Sequence, residues 1–244
     1  MMAGVSGGAG SPCPCEAGDA RPGTGRAPCG DTPGGAGSPC PRDLPPPGFL
    51  SRFTHVDVWH GDLPHWERSG VAVFITMRLG DSLPMDKLGP WMSEKDEWLQ
   101  VHPQPWTEET SREFSSKFRG AIEKWLDEGH GTCVFGDESA RKVVEDALRH
   151  YAGRRYALYA FVVMPNHVHV LLMPLEGWTV KRIVADLKHY TARVLAACRT
   201  WEGAFWQREY WDTAIRNGEH FRRVIRYIKG NRPDIAFDAY ATRG

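Results

Sequence analysis

The alternation of large apolar residues with smaller or polar ones first becomes regular at GVAVFITMRL (70–79). Val71, Val73, Ile75 and Met77 alternate there with Ala72, Phe74 and Thr76, a period of two that predicts a strand. The period changes over residues 108–127 (EETSREFSSKFRGAIEKWLD), where Phe114, Phe118, Ala121, Ile122 and Trp125 recur at helical spacing and GHG (129–131) stops the helix. TCVFG (132–136) reads as a short edge strand, and residues 138–151 as a second helix with Val143, Val144, Ala147 and Leu148 inward. RYALYAFVVMP and NHVHVLLMP follow as two strands. The short MPN junction between them predicts an antiparallel hairpin. Helices over 179–199 and 218–229 complete the pattern; in the last, Phe221, Val224, Ile225 and Ile228 fall at i, i+3, i+4 and i+7 and form one stripe.

Strand, helix, short strand or helix, strand, strand, helix is the order of an α+β fold. It predicts a ferredoxin-like antiparallel sheet with helices packed on one face and the other face free. In NHVHV, His167 and His169 project from one face of their strand while Val168, Val170 and Leu172 project from the other. With the valine face as core, both imidazoles point to the free face. Their spacing suits a shared metal ion, since neutral imidazole is a common ligand, and it equally suits a pair of hydrogen-bonded core histidines. In the last helix, at about 100° per residue, Tyr227 lies roughly 110° from the middle of the stripe and Asn231 about 40° from Tyr227. Arg222, Arg223, Arg226 and Lys229 fill the opposite face. Tyr227 therefore reads either as a reactive phenol beside a cationic surface or as a border tyrosine with its ring packed and its hydroxyl wet.

Composition narrows this picture. The chain has 244 residues, 41% hydrophobic and 11% aromatic, enough for one sizeable core. Residues 1–47 hold 11 Gly and 10 Pro and repeat GGAGSPCP at 7–14 and 34–41, a composition that predicts a disordered tail and leaves 48–244 as the single folded domain. Formal net charge is zero, but it is unevenly spread. Residues 90–128 carry nine acids against five bases, whereas 181–232 carry twelve Lys or Arg against five Asp or Glu, which marks the C-terminal third as a polyanion-binding face. Four of the six cysteines lie in the tail, and Cys133 and Cys198 have no CxxC partner, so neither a disulfide framework nor a zinc ribbon is expected. The absence of a long apolar run or a secretory signal predicts a soluble, cytoplasmic protein with no membrane association. Trp201, Trp206 and Trp211 interleave with Arg199, Arg208 and Arg216. They are candidates for base stacking and phosphate contact, and equally for core in the case of Trp206 and Trp211; Lys188 and Arg193 are further candidate phosphate contacts.

RYALYAFVVMPNHVHVLL, the helix with LKHYTA, FWQREYWDTAIRN and FRRVIRYIKGN occur in this order, and together they resemble the REP-associated tyrosine transposases. These are single-tyrosine relatives of the insertion-sequence transposases with the His-hydrophobic-His motif, and the resemblance covers roughly residues 50–235. It implies that Tyr227 is the nucleophile, in preference to the more conspicuous Tyr210, and that His167, His169 and Asn231 hold Mg²⁺ or Mn²⁺. It further implies that the partner is single-stranded DNA carrying a hairpin and that the chain acts as a monomer or a homodimer; the cationic positions Lys188, Arg193, Arg208, Arg216, Arg223 and Arg226 are the candidate contacts to that DNA. The expected activity is cleavage and rejoining of single-stranded DNA at repetitive extragenic palindrome-like hairpins through a 5′-phosphotyrosine. Family members continue as Tyr-Ile-x-x-Asn-Pro; this chain reads YIKGNRP, with Arg232 between Asn231 and Pro233 and Gly230 weakening the helix end. A catalytically inactive DNA- or hairpin-binding module, and a metal-dependent phosphoesterase with Tyr227 a bystander, are the competing readings.

Overall fold

The hairpin expected from the MPN junction is the centre of the molecule. The computed structural model describes residues 44–50, 57–60, 64–67, 70–103, 106–198, 201 and 203–239; residues 1–43 of the expected tail, and Arg199, lie outside the described residues. In chain order, β1 (Asp57–His60) and β2 (Pro64–Glu67) pair with each other, and β3 (Val73–Arg78) leads to α1 (Met85–Val101). Next come α2 (Glu108–Phe114), a π-helical stretch (Ser115–Arg119), α3 (Gly120–Asp127), a 3₁₀ turn (Val134–Gly136) and α4 (Glu138–Tyr151). β4 (Tyr156–Val163), β5 (His167–Pro174), α5 (Val180–Cys198), β6 (Trp211–Ala214), α6 (Gly218–Asn231) and β7 (Phe237–Asp238) complete it.

The main sheet has the order β6-β3-β5-β4-β7 with every neighbouring pair antiparallel. Leaving out the short edge strand β7, that is the strand order of a ferredoxin-like sheet, in which each helix-containing crossover skips one strand. The α+β class stands as expected. The valine face is core: Val73, Ile75 and Met77 of β3 and Val168, Val170 and Leu172 of β5 pack against Val144, Ala147 and Leu148 of α4 and Ile183, Val184 and Leu187 of α5. The other face, expected to stand free, is covered by α6. Its stripe of Phe221, Val224 and Ile228 closes over Phe74, Tyr159 and Leu171, because burying an aromatic or aliphatic side chain is worth about 1.5–3 kcal/mol and this face offers α6 a matching apolar surface. Both strands of the hairpin are therefore buried on both sides.

The helix expected over 108–127 is present but irregular. Its buried residues, Phe114, Phe118, Ile122 and Leu126, pack with Trp98 of α1 and Trp211 of β6. A spacing of four drifts by about 40° per step on an α-helix, and the wider π-helical stretch takes up that drift so that all four keep facing the same cluster. Regular spacing points to Ala121 and Trp125 instead, which is why Leu126 is missing from the expected stripe. Gly129, at φ 73°, stops the helix as GHG predicts. TCVFG is not a strand. Val134 and Phe135 turn inward as two buried plugs of a 3₁₀ turn between left-handed Cys133 and Asp137, the N-cap of α4, and Phe135 N–H is bonded to Pro165 O (3.0 Å) with no ladder on either side. Among the described residues no helix is long and apolar enough to cross a membrane.

Candidate active site

His167 and His169 sit on β5, the middle strand, opposite Arg78 and Thr76 of β3 respectively. Both are 1% exposed. His167 Nδ1 is 2.8 Å from Asn166 Oδ1, and the orientation of that amide is fixed because its Nδ2 donates to His130 O at 3.0 Å. An amide oxygen only accepts, so His167 carries its hydrogen on Nδ1 and presents a lone pair at Nε2. His167 Nε2 and His169 Nε2 are 3.1 Å apart, an approach that requires one hydrogen between them, so His169 Nε2 donates and Thr76 Oγ1 donates to His169 Nδ1 at 2.9 Å. A hydroxyl can also accept. With Thr76 accepting from His169 Nδ1, both Nε2 atoms become adjacent lone pairs, the donor set of a shared divalent cation. Burial holds His167 down to about 4, and burial, His167 and Arg119 together hold His169 well below the usual histidine range, so both rings are neutral at neutral pH.

Tyr227 reaches this pair from the opposite wall. Its hydroxyl is 3.3 Å from His169 Nε2, and its ring meets His169 at 5.2 Å and the edge of Phe74 at 5.8 Å between centroids. Asn217 caps the start of α6 by accepting from His220 N (2.8 Å), and the helix continues past Gly230 to Asn231, so the weak residue does not end it early. Asn231 Nδ2 donates to Tyr227 O at 2.9 Å, and Asn231 Oδ1 has no hydrogen bond among the described residues. The phenol is pushed up to about 12 by burial first and then by the Glu123 and Asp127 carboxylates of α3, against which the Asn231 side chain and Arg119 act. The acidic segment thus forms a third wall of the site. Among the described residues no three His, Cys, Asp or Glu side chains gather to hold a metal; a third protein donor would be an amide or phenol oxygen.

The structure brings His167, His169 and Tyr227 together and sets Asn231 one helical turn beyond Tyr227. The cationic candidates divide. Arg193, Arg208, Arg216, Arg223 and Arg226 are exposed, with Arg223 bonded to Glu219 and Arg208 beside Glu209. Lys188 is committed inward instead, donating to Gln207 O, Arg208 O and Glu209 O at 2.7–3.3 Å, and burial lowers it to about 8. Of the two readings open for Trp206 and Trp211, the core one holds, at 7% and 9% exposure, and Tyr210 is likewise packed. Thr76, Asn166 and Arg119 are absent from the sequence-derived site. Thr76 had a signal, being the polar residue in a strand of apolar ones. Asn166 had only adjacency to His167, and Arg119 had none.

Residues 133–231 match a family described as IS200-like transposases. Two solved structures are similar. One is a REP-associated tyrosine transposase bound to a REP hairpin, at 14% identity over 75% of this chain and 84% of that one, with a TM-score of 0.40. The other is a protein of Deinococcus radiodurans R1 described as a transposase, at 26% identity over 39% of this chain and 77% of that one, with a TM-score of 0.29. The comparison with curated proteins gives no match.

Proposed function

We propose that this protein, whose residues 133–231 match a family described as IS200-like transposases, cleaves and rejoins single-stranded DNA beside a hairpin through a phosphotyrosine formed on Tyr227. The observation that carries this reading is the approach of the Tyr227 hydroxyl to within 3.3 Å of His169 Nε2, between residues 58 apart in sequence. The catalytic unit of the reading is residues 48–244, with 1–47 as a tail.

Tyr227 Oη attacks phosphorus, the new O–P bond replaces the P–O3′ bond, and the hydrogen lost by the phenol is matched by one gained at the departing 3′ oxygen. The result is a 5′-phosphotyrosyl end and a free 3′-hydroxyl, and the energy of the broken linkage is kept for rejoining. A phenol near 12 stays protonated at neutral pH, so the site needs charge stabilisation. Mg²⁺ or Mn²⁺ held by His167 Nε2, His169 Nε2 and Asn231 Oδ1 would supply it as a Lewis acid. The chain's own residues do the rest: Asn166 and Thr76 orient the imidazoles, Phe74 packs against both His169 and Tyr227, and exposed Arg223 and Arg226 on α6 offer phosphate contacts.

Labelled single-stranded DNA with a hairpin, incubated with the protein and Mn²⁺ and run on a denaturing gel, tests this. A covalent adduct that disappears in Tyr227→Phe is expected. Intact DNA with retained binding would make the chain a non-catalytic binding module, and cleavage without an adduct would make it a phosphoesterase.

A further inference from the structure

The helix running from α2 through the π-helical stretch into α3 carries a cation in an unusual position. Arg119 is the last residue of that stretch, and its side chain is 16% exposed. Its Nε donates to Glu123 Oε1 at 2.9 Å, its Nη1 donates to Thr213 Oγ1 of β6, and its guanidinium lies 5.3 Å from the centroid of Phe74. The same Phe74 ring stacks on His169 at 5.4 Å and meets Tyr227 at 5.8 Å. Arg119 thus joins the cluster that holds both halves of the candidate active site.

An i,i+4 pair on a helix is ordinarily a solvated contact of little consequence. This one differs in two ways. Most of the side chain is out of water and fixed by protein acceptors on Nε and Nη1, whereas Nη2 is not among the buried side-chain atoms. That accessible Nη2 has no protein partner among the described residues, which leaves one edge of a fixed guanidinium open. The π-helical stretch, a feature often found at functional sites, turns Arg119 toward β3 and β6 while Phe118 beside it stays in the α1 cluster. Glu123 and Asp127 on the same wall make a lone phosphodiester costly there, and a guanidinium fork is the group that offsets it.

We propose that Arg119 binds the scissile phosphate beside Tyr227, with Glu123 and Thr213 holding the guanidinium so that its free edge faces the DNA. This rests on the strand-transfer reading above and adds a phosphate-binding residue from outside the matched family region.

The test uses full-length Tyr227→Phe protein, which binds without reacting. Hairpin-bearing single strands are compared with the scissile linkage as an ordinary phosphodiester and as an uncharged methylphosphonate. Neutralising the linkage is expected to weaken binding by Tyr227→Phe clearly more than binding by Tyr227→Phe/Arg119→Gln. On the ordinary strand the second substitution lowers the slope of log affinity against log salt by about 0.7. In the reactive background, Arg119→Gln lowers the adduct rate by about 10²–10³-fold. Equal weakening of both proteins by the neutral linkage, or weakening of neither, overturns the assignment, as does an undiminished adduct rate; Tyr227 chemistry would stand in each case. No adduct from the unaltered chain overturns both. Arg119→Lys, which keeps the charge and loses the fork, is measured the same way should the glutamine variant fail to fold.

Discussion

Asn166 is the residue on which the imidazole pair turns. Buried, with one amide end on His167 and the other on the His130 carbonyl, it sets which nitrogen of His167 faces the site. Asn166→Leu keeps the volume and removes both bonds. Metal affinity, titrated calorimetrically with Mn²⁺, is expected to fall about 10–100-fold, while Asn166→Asp, which still accepts from Nδ1, retains more of it; equal losses would deny Asn166 that role. Thr76 acts behind His169 with more latitude, since a hydroxyl serves either ring tautomer where a carboxylate would enforce one. At this scale strand periodicity put the two imidazoles on one face and helix periodicity put Tyr227 on the flank of its stripe, but only the resemblance to the REP-associated tyrosine transposases singled Tyr227 out and joined it to the histidines. Arg119 was not, because its bond to Thr213 spans 94 residues and no local pattern encodes such a contact.

Among elements, those with a clean stripe were legible: α4, α5, α6 and the β4–β5 hairpin lie where the spacing put them. The exceptions have physical causes. The Phe114 to Leu126 stripe repeats every four residues and demands a π-helical stretch, which an average over 3.6 does not anticipate. α1 buries Trp98 and Lys95 among mostly exposed positions and contains Pro90, so its pattern is faint, and β6 has only four residues and takes its place from β3. The two cationic helices also part company in function. Lys188 of α5 is spent on three loop carbonyls. Lys188→Met should destabilise the fold by about 1–3 kcal/mol and leave the salt dependence of DNA binding unchanged. Arg226→Ala on exposed α6 should keep stability within about 0.5 kcal/mol and lower the salt slope by about 0.7. Denaturant melts and binding isotherms over a salt series separate the two, and interchangeable behaviour would refute the division.

At the scale of the whole molecule, a sheet with apolar layers on both faces encloses the histidines and ties stability to acidity. His167 is held near 4 in the folded chain against about 6.5 when free. Above pH 6.5 the ring is neutral in both states and costs nothing. Between 6.5 and 4 the unfolded chain takes a proton that the folded one refuses, so stability falls with falling pH by about 3 kcal/mol in all, and His169 pushes the same way. Thermal melts in chelator from pH 7 to 4 should show this decline, flattened in His167→Gln; an unaltered slope in the variant would place the acid sensitivity elsewhere. The sheet order also gives the two partners of the site unequal mounts. β5 is bonded on one side to β3 and on the other to β4, whereas Tyr227 rides on a helix held by its apolar stripe and by the Lys229–Asp238 ion pair to β7 (3.2 Å). A shift of that helix would alter the gap between the Tyr227 hydroxyl and the imidazoles while the ladders on both sides of β5 stay intact, so the distance across the site is set from one side only.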